Sequence, residues 1–196
     1  MSKIGKKSIK LSANTMIFIT KNIESCFILQ YRGSLGINSA QFSERYSSFF
    51  KLIQFDWNNS QVAFKQYNLN FKHSIKQNTN NFWGLFRRLL INMGIGVSQG
   101  YLIQLKIIGL GYKNFTLKNF LVLLLGYSHG IQYQSPNTVH IVSIKPTLFS
   151  VFGINKAEVT DIASQLKRFR APEIYKGKGI RFLSEIVICK EGKRNA

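Results

Sequence analysis

Two stripes of apolar residues at helical spacing, each placed after a run of strand-like segments, constrain this chain most. Phe82, Phe86, Leu89 and Met93 recur at spacings of four, three and four, with Leu85 and Leu90 beside them. The spacing predicts a helix over residues 81–93, capped by Asn80 or Asn81 and ended by Gly94 or Gly96 in a left-handed conformation. Val159, Ile162, Leu166 and Phe169 make the second stripe, over residues 156–170. There Asn155 is the candidate N-cap, and Glu158 follows three residues on as in a capping box. Pro172 stops that helix, because Ala171, standing before a proline, avoids helical geometry.

The remainder reads as strands and turns. Residues 16–20, 26–31, 50–55, 61–67, 101–108, 120–125, 139–144 and 180–188 are rich in β-branched and aromatic side chains. In the last of these, Ile180, Phe182, Ile186 and Ile188 share one face, and Arg181 and Glu185 the other. Lys113-Asn114 and Ser135-Pro136-Asn137 read as turns. Residues 56–81 are rich in Asn and Gln and read as a long loop or local expansion. Each half is thus several strands followed by one helix, an internal duplication of an α+β unit with a boundary near Gly100. The expected organisation is a domain over 1–99, a second over 100–182, and a final strand with a basic tail over 183–196.

Charge narrows the function. Among 196 residues, 27 Lys and Arg face 8 Asp and Glu, a formal charge of +19 spread over both halves. So few acids leave little material for paired-carboxylate catalysis or an oxygen-rich metal cage. Cys26 and Cys189 alone make neither a disulfide scaffold nor a cysteine zinc site, and Cys189 is expected buried in its strand. A hydrophobic fraction of 45% supports a folded core. A folded, strongly cationic chain faces a polyanion, either nucleic acid or an anionic membrane. The longest apolar runs fall far short of a membrane span, and no secretory or targeting segment is visible. The abundance of Asn, Ile, Lys and Phe, all written with AT-rich codons, points to an AT-rich and commonly organellar genome.

Enzyme motifs fail on spacing. Gly94-Ile95-Gly96 and Gly109-Leu110-Gly111 lack the GxGxxG pattern and its strand-to-helix setting. His73, His129 and His140 are isolated, and Ser128-His129 lacks the GxSxG elbow. No catalytic residue, metal or cofactor is expected. The strongest constellation is Tyr175-Lys176-Gly177-Lys178-Gly179-Ile180-Arg181-Phe182, three cations alternating with glycines between aromatics, after a helix ending Lys167-Arg168-Phe169-Arg170. Glycines let backbone amides approach a phosphate, Lys side chains neutralise it, and Arg181 can fork onto phosphate or stack on a base. Lys190, Lys193 and Arg194 extend this surface, and Lys3, Lys6, Lys7 and Lys10 form an acid-free patch at the other terminus.

The segment 172–182 closely resembles the C-terminal signature, roughly PEPYKGKGIRY, of the bacterial-type large-subunit ribosomal protein of the L-six family. Residues 1–9 resemble its MSRIGKKPI opening, and residues 89–101 its LLNNMVIGVTEGF. Residues 107–112 and 125–129 are similar to its VGVGYR and LGFSH segments. The match is nearly continuous over 82–194, clear at 1–11 and thin over 12–81. Ile174 stands where the family has proline, Phe182 where it has tyrosine, and the tail carries fewer lysines than in many relatives.

The resemblance implies two similar small domains, each an antiparallel sheet packed with one helix. It implies a non-catalytic constituent of the large ribosomal subunit, binding large-subunit rRNA near the sarcin–ricin loop. Neighbouring ribosomal proteins and docking translational GTPases are the other implied partners, with no membrane. Lys176, Lys178 and Arg181 match the signature and take over its RNA contacts. Tyr175 is the stacking candidate, and Gly177 and Gly179 permit close approach. Arg168 and Arg170 are added from charge and proximity. A free RNA-binding or ribosome-maturation factor on the same fold is the alternative, and a peripheral membrane protein a third reading. The expected location is the mitochondrion, with synthesis inside the organelle; a plastid or bacterial cytoplasm is the alternative.

Overall fold

Alternation of apolar residues builds the first sheet. The structure is a computed structural model and describes residues 9–10, 15–21, 27–42, 53–56, 61–64, 73–118 and 120–192. Strands β2 (Met16–Lys21), β3 (Phe27–Gly33) and β4 (Gly36–Phe42) form an antiparallel meander with β3 central. Ile19 pairs with Leu29 and Ile17 with Tyr31, so these side chains share one face, and Met16 and Phe18 point to the other. Strands β1 (Ile9–Lys10), β5 (Ile53–Asp56) and β6 (Gln61–Phe64) make a second sheet with β6 central.

Helix α1 (His73–Ser98) packs on β3 and β4. It buries Phe86, Leu90, Met93 and Val97 against Leu29 and Tyr31, with the Phe86 and Phe42 rings 5.0 Å apart. Each fully buried side chain of this size contributes about 1.5–3 kcal/mol. The helix is twice the length expected from residues 81–93. Asn80 and Asn81 lie inside it, as do Gly94 and Gly96. It runs on because its last carbonyls find partners. The Leu35 amide donates to the Val97 carbonyl at 3.1 Å, and the Ser34 hydroxyl to the Ser98 carbonyl at 3.1 Å. The left-handed residue that ends the helix is Gly100, with φ +77°. Leu89 sits at the rim, 36% exposed, and Leu90 takes the core position. The Asn/Gln-rich stretch contains β6 and the first turns of α1. The expected strand residues 50–52 and 65–67 lie outside the described residues.

The unit Tyr101–Ala196 likewise joins two antiparallel sheets to one helix. Strands β8 (Lys113–Leu117), β9 (Phe120–Leu124) and β10 (Ile131–Gln134) form a meander. Strands β7 (Tyr101–Ile108), β11 (Val139–Lys145), β12 (Leu148–Gly153) and β13 (Gly179–Phe182) form a sheet in the order β11-β12-β7-β13. Helix α2 (Lys156–Arg168) closes the core, which joins Leu105, Ile107, Leu121, Leu123, Phe149, Val151 and Ile180 to Val159, Ile162, Ala163 and Leu166. Both units are thus α+β, with antiparallel sheets and one helix each among the described residues.

Three expectations are corrected in this unit. Lys113-Asn114 is the start of a strand, and the turn lies earlier, at Gly109 and Gly111, both with positive φ. Asn114 is instead a buried cross-brace: its amide donates to the Lys145 and Pro146 carbonyls at 3.0 and 2.7 Å, and its oxygen accepts from Ser143. The expected strand over 180–188 stops at Phe182, so residues 183–192 carry no strand. After one further bond from the Leu183 amide to the Gln104 carbonyl, Glu185 turns the chain back by accepting from the Phe182 amide. Ile186 and Ile188 are 90% and 86% exposed, and Cys189, expected buried, is exposed. Alternation alone makes no strand where no partner edge is offered.

Candidate nucleic-acid interface

The basic segment starts from a well-set helix. The Asn155 carboxamide oxygen accepts from the Ala157 amide at 3.1 Å, and its nitrogen donates to Glu158 at 3.0 Å. Helix α2 ends at Arg168, two residues before the expected 170, with Phe169 as its C-cap. The Phe169 carbonyl accepts from the Tyr127 hydroxyl at 3.0 Å, and its ring meets the Tyr133 ring edge-on at 6.0 Å. The chain then crosses to β13, where the Arg170 carbonyl accepts from the Ile180 amide at 2.8 Å.

Between these points lies a closed loop. The Glu173 amide donates to the Lys178 carbonyl at 2.8 Å, and the Gly177 amide donates back to the Glu173 carbonyl at 3.0 Å. The Lys190 amide reaches the Ile174 carbonyl at 3.0 Å, tying the following coil to the loop. Tyr175, 60% exposed, and Lys176 stand at the tip, and Lys178 is half-buried.

Gly177 and Gly179 are buried. The Gly177 amide is spent on Glu173, so it does not line a phosphate cradle as the alternation suggests. Gly179 has φ +139°, and a Cβ there would stand 2.7 Å from the Ala171 carbonyl oxygen and 2.8 Å from that of Arg170. These glycines shape the loop, and the side chains do the presenting.

The cations divide by partner. Lys167 donates to both Glu185 oxygens at 2.6 and 2.8 Å, which holds that carboxyl below the usual carboxylate range and neutralises Lys167. Arg168 is exposed, as is Lys190. Arg181, half-buried, stands directly opposite Lys106 in the β13–β7 register. Two like charges at opposed cross-strand positions repel, and Glu185 is the nearby acid that feels Arg181. Lys106 carries no sequence signal, because only the register reveals its neighbour. Arg170 places its guanidinium carbon 4.9 Å from the Tyr127 ring centroid, a contact the sequence equally conceals. Lys3, Lys6, Lys7, Lys193 and Arg194 lie outside the described residues. A groove of about 720 Å³ between the turn after β10 and α2 is lined by Glu158 and Asp161 and by no Lys or Arg.

Among the described residues, no three His, Cys, Asp or Glu side chains gather to hold a metal ion. No helix among them is long and apolar enough to cross a membrane. A strongly basic α+β chain of two units, with a braced cationic loop in the second, has the makeup expected of a protein that faces a polyanion. Residues 108–182, which contain that loop, match the family model described as ribosomal protein L6. The chain is 34% identical over 196 residues to the large ribosomal subunit protein uL6m of Reclinomonas americana, covering 99% of this chain and 100% of the relative. It is 33% identical to uL6 of Zymomonas mobilis over 194 residues, 99% of both chains. It is 32% identical to uL6m of Prototheca wickerhamii over 197 residues, 92% of this chain and 96% of the relative. The chain belongs to the ribosomal protein L6 family, whose members are structural ribosomal proteins and not enzymes.

Proposed function

We propose that this chain, a structural constituent of the large ribosomal subunit by family, anchors on large-subunit rRNA through the side chains of Lys176, Lys178, Arg181 and Lys106. Tyr175 is the adjoining stacking residue, and Arg168, Arg170 and Lys190 widen the contact. The observation that carries the reading is the loop Glu173–Lys178, closed by two internal bonds and presenting its cations outward. Its place on the subunit is near the sarcin–ricin loop, beside other ribosomal proteins and where translational GTPases dock. Lys3, Lys6, Lys7, Lys193 and Arg194 add contacts from the termini. The mitochondrion is the proposed location, supported by the AT-type composition and the mitochondrial relatives, with bacterial relatives keeping a bacterial cytoplasm as the alternative.

Sucrose-gradient sedimentation tests the anchor. Replacing Lys176, Lys178 and Arg181 together by Ala should release the protein from the large-subunit peak and leave its circular dichroism unchanged. Removing a single charge-assisted hydrogen bond to phosphate costs about 1.5–3 kcal/mol. Replacing Lys3, Lys6 and Lys7 should cost less; a worse loss there would reassign the anchor to the N-terminus.

A further inference from the structure

We propose that Arg170, with Tyr127 and Tyr112, forms a receptor for one unpaired RNA nucleotide, whose base stacks on the guanidinium. This rests on the rRNA-binding reading above and specifies what one part of that surface takes. Three segments meet here: the turn after β7, the turn after β9, and the exit of α2. Tyr112 lies flat over two glycines, since a Cβ would stand 2.5 Å from its ring at Gly109 and 2.9 Å from it at Gly126. Tyr127, 45% exposed, is fixed by its hydroxyl bond to the Phe169 carbonyl and supports the Arg170 guanidinium on its ring.

Arg170 has no carboxylate partner among the described residues. The Tyr127 and then the Tyr112 oxygens raise its pKa, so it stays charged. The guanidinium lies over the Tyr127 ring, and Arg170 keeps part of its surface in solvent. A guanidinium plane is weakly hydrated and accepts a base on its face, which an ammonium cannot do. Bases inside an A-form duplex do not present that face, whereas an unstacked base does. A phosphate needs the charge and the donors of the guanidinium, whereas an aromatic ring beside them adds a stacking surface that a base can extend.

The test compares the full chain and its variants on two probes by fluorescence anisotropy: a short adenine-rich single-stranded RNA and a blunt RNA duplex. Arg170→Lys keeps the charge and removes the plane. It should weaken single-strand binding about tenfold and change duplex binding by less than about twofold. Tyr127→Leu, which removes the supporting ring, should reproduce that pattern, and Tyr127→Phe should retain most of the affinity. Equal losses on both probes, or no loss on either, overturn the receptor. If the unaltered chain binds the duplex but not the single strand, the receptor fails while the wider rRNA reading stands. If it binds neither, both fail.

Discussion

Lys106 and Arg181 occupy one rung of the β7–β13 ladder, an arrangement that costs stability in the free protein and that an anion, in the proposed reading, would relieve. Opposed like charges destabilise by about 0.2–1 kcal/mol. Lys106→Gln should therefore raise the melting temperature of the free chain slightly. It should also lower the salt slope of RNA binding by about one unit, read from anisotropy titrations. Tyr31 is the opposite kind of residue. It is fully buried, its hydroxyl has no hydrogen-bond partner among the described residues, and burial pushes its phenol pKa well up. Removing an unsatisfied buried hydroxyl recovers its desolvation cost, so Tyr31→Phe should stabilise the chain by about 1 kcal/mol in chemical denaturation. A clear destabilisation would mean that the hydroxyl has a partner.

At the scale of elements, two glycines should respond with opposite signs. Gly84 lies within α1 and a Cβ there meets nothing within 4 Å, so Gly84→Ala should stabilise by about 0.5–1 kcal/mol. Gly179→Ala should destabilise by more than that, because the new Cβ meets two backbone carbonyls at a positive φ. Thermal unfolding of both variants checks the pair. The Lys167–Glu185 bridge joins α2 to the end of β13 and gives a pH signature. Glu185 has its pKa lowered in the fold, first by the Lys167 hydrogen bond. Its stabilisation is present above the unfolded-state pKa and is lost as pH falls through the folded one. Lys167→Met should thus destabilise at neutral pH, with the difference from the unaltered chain shrinking in acid.

What is legible in the sequence follows from locality. Helix α2 is readable because Asn155, the stripe through Leu166 and Pro172 all lie within twenty residues of one another. Strand β7 is readable because Tyr101, Ile103, Leu105 and Ile107 alternate with Leu102, Gln104 and Lys106. The end of α1 is not, because a glycine marks a helix end and a tolerated interior position with the same letter. Ile186 and Ile188 continue an alternation whose missing partner no local pattern reports. The site splits the same way: Lys176, Lys178 and Arg181 stand in the segment itself, while Lys106 and Tyr127 join it only through register and a turn.

For the whole molecule the governing quantity is +19. Such a charge strains the free chain by self-repulsion and favours any polyanion. With about six phosphate contacts, RNA affinity should fall ~10³-fold between 50 and 200 mM salt, measured by filter binding. A flat response would remove the polyanion reading altogether.

The bond from Lys190 to Ile174 has a consequence in time. If this loop is the rRNA anchor proposed above, its latching by the coil that follows β13 means that docking should involve no slow ordering step on the protein side. Arrival is then set by diffusion and by the long-range pull between opposite charges, and it slows as counterions screen that pull. A latch opened by Lys190→Pro, which has no amide hydrogen to donate, would insert a conformational wait before capture. The association rate should then become slower than encounter allows and less sensitive to ionic strength, because waiting for the loop replaces the journey as the limiting event.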